Sequence, residues 1–144
     1  MQFHPTALYI KDSNDRRLLI SESRPWRRCL IRNKKGEHFI DELLPRDVVA
    51  NAIYAELNSS NEECAYLDLS TMEPKYIKNR FPYIYKECLS HGIDITKEYI
   101  PIHPVQHYFM GGIEVDLNSK SSMEKLYAVG ECSCTGVHGA NRLC

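Results

Sequence analysis

Short apolar runs broken by turn-forming residues occupy the first third of the chain, and runs with helical spacing occupy the middle. Ala7-Leu-Tyr-Ile and Leu18-Leu-Ile-Ser flank Lys11-Asp-Ser-Asn-Asp, so the pattern predicts a β-hairpin. Asn33-Lys-Lys-Gly36 predicts a second turn, leading into a strand at Glu37-His-Phe-Ile. Val48, Val49, Ala52, Ile53 and Leu57 fall near one face at a period of 3.6 residues. That spacing predicts a helix with Asp47 as N-cap and Asn58-Ser-Ser at its end. Residues 65–69 read as a short strand, and residues 73–80 and 82–91 as two helical pieces. Pro82 suits the first turn of the second piece and Gly92 its C′ position. Residues 93–104 read as extended around Pro101 and Pro104, residues 107–117 as a loop entering a strand, and residues 125–131 as a strand meeting a glycine. Strands and helices are segregated, which predicts an α+β fold, a small sheet with packed helices around one core.

Composition narrows the function classes. Eighteen basic against nineteen acidic side chains leave a formal charge of −1, which removes the electrostatic case for binding nucleic acid or an anionic membrane surface. An anionic ligand must then be held by local arrangement. No apolar run reaches the roughly 18 residues of a membrane span, and the first residues lack a basic stretch followed by an apolar one. The expectation is a cytoplasmic protein with no membrane span. Its six cysteines are expected as thiols, because a chain of 144 residues without a secretory signal does not need disulfide staples. Cys132, Cys134, His138 and Cys144 do not match the spacing of common zinc frames, so no metal is expected.

Candidate chemistry lies in a few places. His4 precedes Pro5, which holds its backbone extended and restricts the direction of its ring. Arg46 stands just before the best predicted helix, beside Asp47. Gln106-His107-Tyr108 leads into Gly111-Gly112, and paired glycines allow a close backbone approach that other residues resist. Gly130-Glu131 and then Gly136-Val-His-Gly139-Ala-Asn-Arg142 repeat the idea. Two glycine-bearing loops, each offering an imidazole or a cation, suit a small dicarboxylate, whose two ends need separate donor clusters.

Gln2-Phe-His-Pro-Thr-Ala-Leu, Ser21-Glu22, Leu44-Pro-Arg-Asp-Val-Val, Arg80-Phe-Pro, Val105-Gln-His-Tyr-Phe-Met-Gly-Gly-Ile, Leu126-Tyr-Ala-Val-Gly-Glu and His138-Gly-Ala-Asn-Arg-Leu together resemble the succinate dehydrogenase/fumarate reductase flavoprotein family. Pro45-Arg-Asp, Asp94-Ile-Thr-Lys and Thr135-Gly-Val-His favour its aspartate-oxidising branch over the dehydrogenases. The resemblance implies that residues 1–124 are a capping domain over a C4 dicarboxylate, with L-aspartate as substrate and FAD as cofactor. It implies that residues 125–144 begin a return into the FAD-binding domain. The glycine-rich fingerprint of a Rossmann-type FAD domain does not occur in the sequence. The resemblance therefore implies a fragment that lacks that domain, has it as its partner, and is inactive alone. Residue by residue, it assigns His4, Ser21, His107 and Arg142 to substrate carboxylates or nearby atoms. Arg46, in a relay with Glu22, is assigned to proton transfer, and Glu131 to the FAD ribose. The alternatives are a fumarate reductase or succinate dehydrogenase fragment, and a stand-alone dicarboxylate-binding or interaction module.

The sequence departs from the family in three places. Ser21-Glu-Ser-Arg-Pro-Trp-Arg-Arg-Cys29 stands where the family reads Ser/Thr-Glu-Ala-Val-Arg-Gly-Glu-Gly, so the second arginine of the relay falls on Pro25. With the codon choice CGT CCG TGG CGA AGG TGC, residues 24–29 read one base later give Val-Arg-Gly-Glu-Gly, so a local frame slip is one expectation and natural divergence the other. The resulting Trp26 and its neighbouring arginines are expected to face solvent, because burying unpaired arginines costs several kcal/mol (roughly). The family also carries about eight more residues between the regions of Phe39 and Leu44, which is an expectation of the resemblance. Ser119 and Lys125 stand where glycine is usual.

Overall fold

The computed structural model describes residues 1–11, 18–20 and 29–139. The chain forms two compact units, residues 4–105 and residues 1–3 with 106–144. Ser21, Glu22, Trp26 and Arg142, and the expectations attached to them, lie outside the described residues.

Strands β1 (Gln2–Leu8), β2 (Leu30–Arg32), β3 (His38–Ile40), β4 (Ala65–Asp68) and β5 (Ile100–Tyr108) form one sheet in the order β1-β5-β4-β2-β3. Three helices accompany it, α1 (Arg46–Ser60), α2 (Pro74–Arg80) and α3 (Pro82–Ser90). Antiparallel register sets Ile31 beside Leu67 and Leu67 beside Ile100. These three side chains form a row across the sheet, and Ala65 and Ile102 make the next one. All five are buried, because strand side chains two apart share a face. Val49, Ile53 and Leu57 of α1 and Ile77, Phe81, Ile84 and Cys88 of α2 and α3 belong to the same apolar cluster. This core lies entirely within residues 4–105, so that unit carries its own hydrophobic driving force.

The hairpin expectation holds where it is described: Ala7 bridges Leu19 in antiparallel sense, and β1 begins earlier than the apolar run suggested. The second turn forms as predicted, with Gly36 at φ 81 and its N–H donating to the Asn33 carbonyl at 2.9 Å. Gly92, at φ 80, ends α3.

Four expectations need correction. Asp47 does not cap α1; Pro45 holds the N-cap position without a side-chain hydrogen bond, and Asp47 sits in the first turn, where its charge still complements the helix dipole. The buried face of α1 is Val49, Ala50, Ile53 and Leu57, while Val48 is 42% exposed. The apolar stripe admits either rotation of the helix, and packing on the sheet selects the one that buries the 49/53/57 row. Residues 107 and 108 belong to β5 rather than to a loop. Pro104 is tolerated within β5 because β4 pairs only as far as Ile102, so no partner on that side needs its missing N–H. Residues 125–129 make only a single bridge, Lys120 to Tyr127, and end in a 3-10 turn, Gly130–Cys132.

Ser119 and Lys125, the two positions where the family resemblance points to glycine, both adopt φ 63. Ser119 lies in a turn organised by Asp116, whose Oδ1 accepts the N–H groups of Asn118 and Lys120 at 2.8 and 3.0 Å. Left-handed backbone costs an L-residue with a Cβ roughly 1–2 kcal/mol. Glycine relieves that strain and gives part of it back as unfolded-chain entropy. Ser119→Gly and Lys125→Gly are therefore each expected to stabilise by about 0.5 kcal/mol. Protection of residues 113–134 from proteolysis would register the gain, and weakened protection would contradict it.

Candidate functional site

Residues 106–139 are organised by close backbone approach rather than by a large core. Strand β6 (Ile113–Glu114) pairs in parallel with β7 (Ser133–Cys134), Ile113 opposite Ser133 and Glu114 opposite Cys134. Gly112, at φ 131, lies against this pairing, and a Cβ there would stand 2.4 Å from the Cys132 carbonyl oxygen. The glycine is thus required both by conformation and by space, as the paired-glycine reading anticipated. On the facing segment, the Ser133 hydroxyl donates to the Gly130 carbonyl at 2.8 Å, which ties the 3-10 turn carrying Glu131 to β7.

These segments enclose a cavity of about 220 Å³, lined among others by Tyr108, Gly111, Glu131, Ser133, Thr135 and His138. The Tyr108 and His138 rings meet edge to face, with centroids 6.3 Å apart and planes at 86°, an arrangement that aromatic quadrupoles favour. Beside the apolar Phe109, Met110 and Val137, the lining offers one carboxylate, one imidazole and several hydroxyls, and among the described residues no lysine or arginine. A carboxylate accepts hydrogen bonds from hydroxyl groups, so Glu131 fits the ribose-contacting role that the resemblance gave it, and the set as a whole is compatible with a sugar-bearing cofactor such as FAD.

The other assigned residues lie elsewhere or outside the described chain. His107 is exposed near the end of β5, one residue before Tyr108. His4 and Arg46 belong to the unit of residues 4–105. His4 is only 3% exposed, and its Nδ1 accepts the Thr6 N–H at 3.3 Å, so in the neutral ring the proton sits on Nε2. The Thr6 hydroxyl in turn donates to the Ile20 carbonyl at 3.0 Å, which braces the strand that carries His4. Arg46 is the first residue of α1 and is exposed. Sequence reasoning offered the loop of Gly136 and Gly139, with its imidazole His138, to a dicarboxylate, but the resemblance assigned His138 no role and Tyr108 was passed over. A hydroxyl-bearing aromatic directly after His107 was the available signal.

Among the described residues no group of three or more histidine, cysteine or acidic side chains is placed to hold a metal ion, and Cys29, Cys64, Cys88, Cys132 and Cys134 are free thiols. Burial pushes the Cys29 thiol up to about 12, with Glu42 and Asp68 adding to it, and burial likewise pushes Cys88 up to about 11. Both are therefore poor nucleophiles at neutral pH. No helix among the described residues is long and apolar enough to cross a membrane.

The sequence matches the model of a family described as "FAD binding domain" across residues 1–144. It is 58% identical over 143 residues to an L-aspartate oxidase of Clostridium perfringens, covering 99% of this chain and 33% of that protein. It is 59% identical to an L-aspartate oxidase of Clostridium acetobutylicum, with the same coverage. The chain therefore spans about a third of the length of these relatives. The alignment to an L-aspartate oxidase of Synechocystis runs over 152 positions at 43% identity, covering 99% of this chain and 27% of that protein. That is longer than this chain, whereas the Clostridium alignments are not, so the shorter length is shared with the Clostridium proteins. Among solved structures, "Quinol-Fumarate Reductase with Menaquinol Molecules" matches with a TM-score of 0.83 and 34% identity, over 99% of this chain and 28% of that one. "Mycobacterium smegmatis Sdh1 in complex with UQ1" matches at 0.76 and 36%, over 98% and 25%.

Proposed function

Because this chain belongs to the FAD binding domain family, within which lie the fumarate reductase and succinate dehydrogenase flavoproteins, we propose that it is the substrate-covering part of a longer L-aspartate oxidase. The likeness to L-aspartate oxidases over nearly all of its residues carries this reading. On it, residues 1–124 cap the dicarboxylate, residues 125–144 lead toward the FAD-binding part of the same polypeptide, and the reaction takes L-aspartate to iminoaspartate.

The surface of residues 106–139 supports the larger assembly. Leu117, Met123, Tyr127, Val129 and Val137 are all exposed there, a concentration of apolar side chains that a free surface leaves hydrated at a cost of about 25 cal/mol per Å². The remainder of the longer polypeptide is the natural cover.

Oxidation of L-aspartate removes a hydride from Cα and a proton from the attached nitrogen. Bound FAD would supply the acceptor for that hydride. The side chains of this chain hold the substrate and handle the proton. His4, Ser21, His107 and Arg142 hold carboxylate oxygens or nearby atoms by charge-assisted hydrogen bonds. Arg46 accepts and passes on the proton within a relay that includes Glu22. An arginine stays protonated by itself, its pKa being above about 12, so the relay partner is what makes transfer feasible.

The test uses the longer flavoprotein and the 144-residue chain side by side. The longer protein is expected to be yellow and to form peroxide with L-aspartate, whereas the short chain is expected to be colourless and inactive yet to melt cooperatively. Succinate-dependent dye reduction without any aspartate-dependent peroxide would place the protein among the dehydrogenases and overturn the proposal.

A further inference from the structure

The loop of Gly136 and Gly139 brings both Val137 and His138 to the cavity lining. Val137 is 72% exposed, while its neighbour His138 is half-buried. Ordinary folding would favour the reverse. Gly136 and Gly139 adopt φ 75 and 54, the left-handed backbone that makes the turn possible. Tyr108, brought in by the end of β5, meets the imidazole edge to face and so restricts its rotation. Two segments about thirty residues apart in sequence thus fix one imidazole at the cavity wall.

The lining chemistry indicates what this imidazole is for. A dicarboxylate calls for cations, yet the described lining offers Glu131, Ser133, Thr135 and the Tyr108 hydroxyl beside His138, and no lysine or arginine. An anion placed there would meet the Glu131 carboxylate. A neutral ribose diol instead gives hydrogens to Glu131 and takes hydrogen bonds from the imidazole N–H and the side-chain hydroxyls. We infer that His138, held by Tyr108, is a positioning residue for the ribose of FAD and does not hold the dicarboxylate substrate. The inference rests on the functional reading above and adds His138 and Tyr108 to the residues that reading uses.

The test is made in the longer flavoprotein stripped of its cofactor and titrated with FAD, following the quenching of flavin fluorescence. His138→Ala is expected to weaken FAD binding about tenfold, the effect of one lost hydrogen bond to a ligand. His138→Gln, which keeps a donor, should recover much of it. Succinate, measured as a competitive inhibitor of the FAD-loaded variants, should bind within threefold of the parent. Tyr108→Phe keeps the ring contact and loses only the hydroxyl, so it covers the case in which His138→Ala fails to fold; it is expected to weaken FAD severalfold. Unchanged FAD affinity in both variants, or a loss of succinate binding with FAD unaffected, overturns the inference. A parent protein that binds no FAD overturns the functional reading first and this inference with it.

Discussion

Replacing Arg32 by methionine is expected to destabilise the unit of residues 4–105 by about 3 kcal/mol at pH 7, the cost of leaving a buried carboxylate without its counter-charge. Asp68, at the end of β4, is 0% exposed. Its Oδ2 receives the Arg32 Nε–H at 2.6 Å, and its Oδ1 receives the Ser70 N–H at 2.7 Å. Burial alone would raise its pKa, but the Ser70 and Arg32 interactions outweigh burial and hold it below the ordinary carboxylate range. The sign of the pH dependence follows. A carboxyl whose folded pKa is depressed contributes stability above its unfolded pKa of about 3.9 and loses it as pH falls through the folded value. In Arg32→Met only the Ser70 bonds oppose burial, so Asp68 becomes easier to protonate in the folded chain. The deficit relative to the parent should then shrink toward acid pH. Urea unfolding at pH 7 and near pH 4 measures both, and a deficit that is small at pH 7 or grows toward pH 4 would refute the account.

Arg46→Lys in the longer flavoprotein is expected to lower kcat by about 10²-fold or more, the scale of a lost acid–base group. Inhibitory succinate should bind within a few-fold of the parent. Arg46 opens α1 and is exposed, and its guanidinium makes no hydrogen bond or ion pair with another of the described residues. Its guanidinium is thus available to a relay or a substrate. Lysine keeps the charge and loses the planar fork. His107→Ala and Arg142→Ala should differ, chiefly raising KM, by roughly 1–3 kcal/mol in binding terms, because their bonds to carboxylates exist in ground and transition states alike. If Arg46→Lys weakened succinate as much as it slowed turnover, Arg46 would be a binding residue and its proton-transfer role would fall.

The sequence by itself determined the elements whose signals are local. A period of two at β4, the helical period of α1, Pro82 at a helix start and Gly36 and Gly92 in left-handed backbone were all legible, because each depends on a few neighbouring residues. Family membership was legible too, since the motifs survive as short contiguous strings. Only the tertiary structure decided which side of α1 is buried, because Val48 and Val49 are equivalent until the sheet arrives to cover one of them. It also decided that Pro104 could lie inside a strand, since that depends on where the neighbouring strand stops. Gly112 needed the Cys132 carbonyl, twenty residues on, before its missing Cβ had a reason beyond backbone freedom. Tyr108 and His138 became a pair only when the end of β5 and the Gly136 loop reached one cavity, and no local pattern encodes a contact across thirty residues of chain.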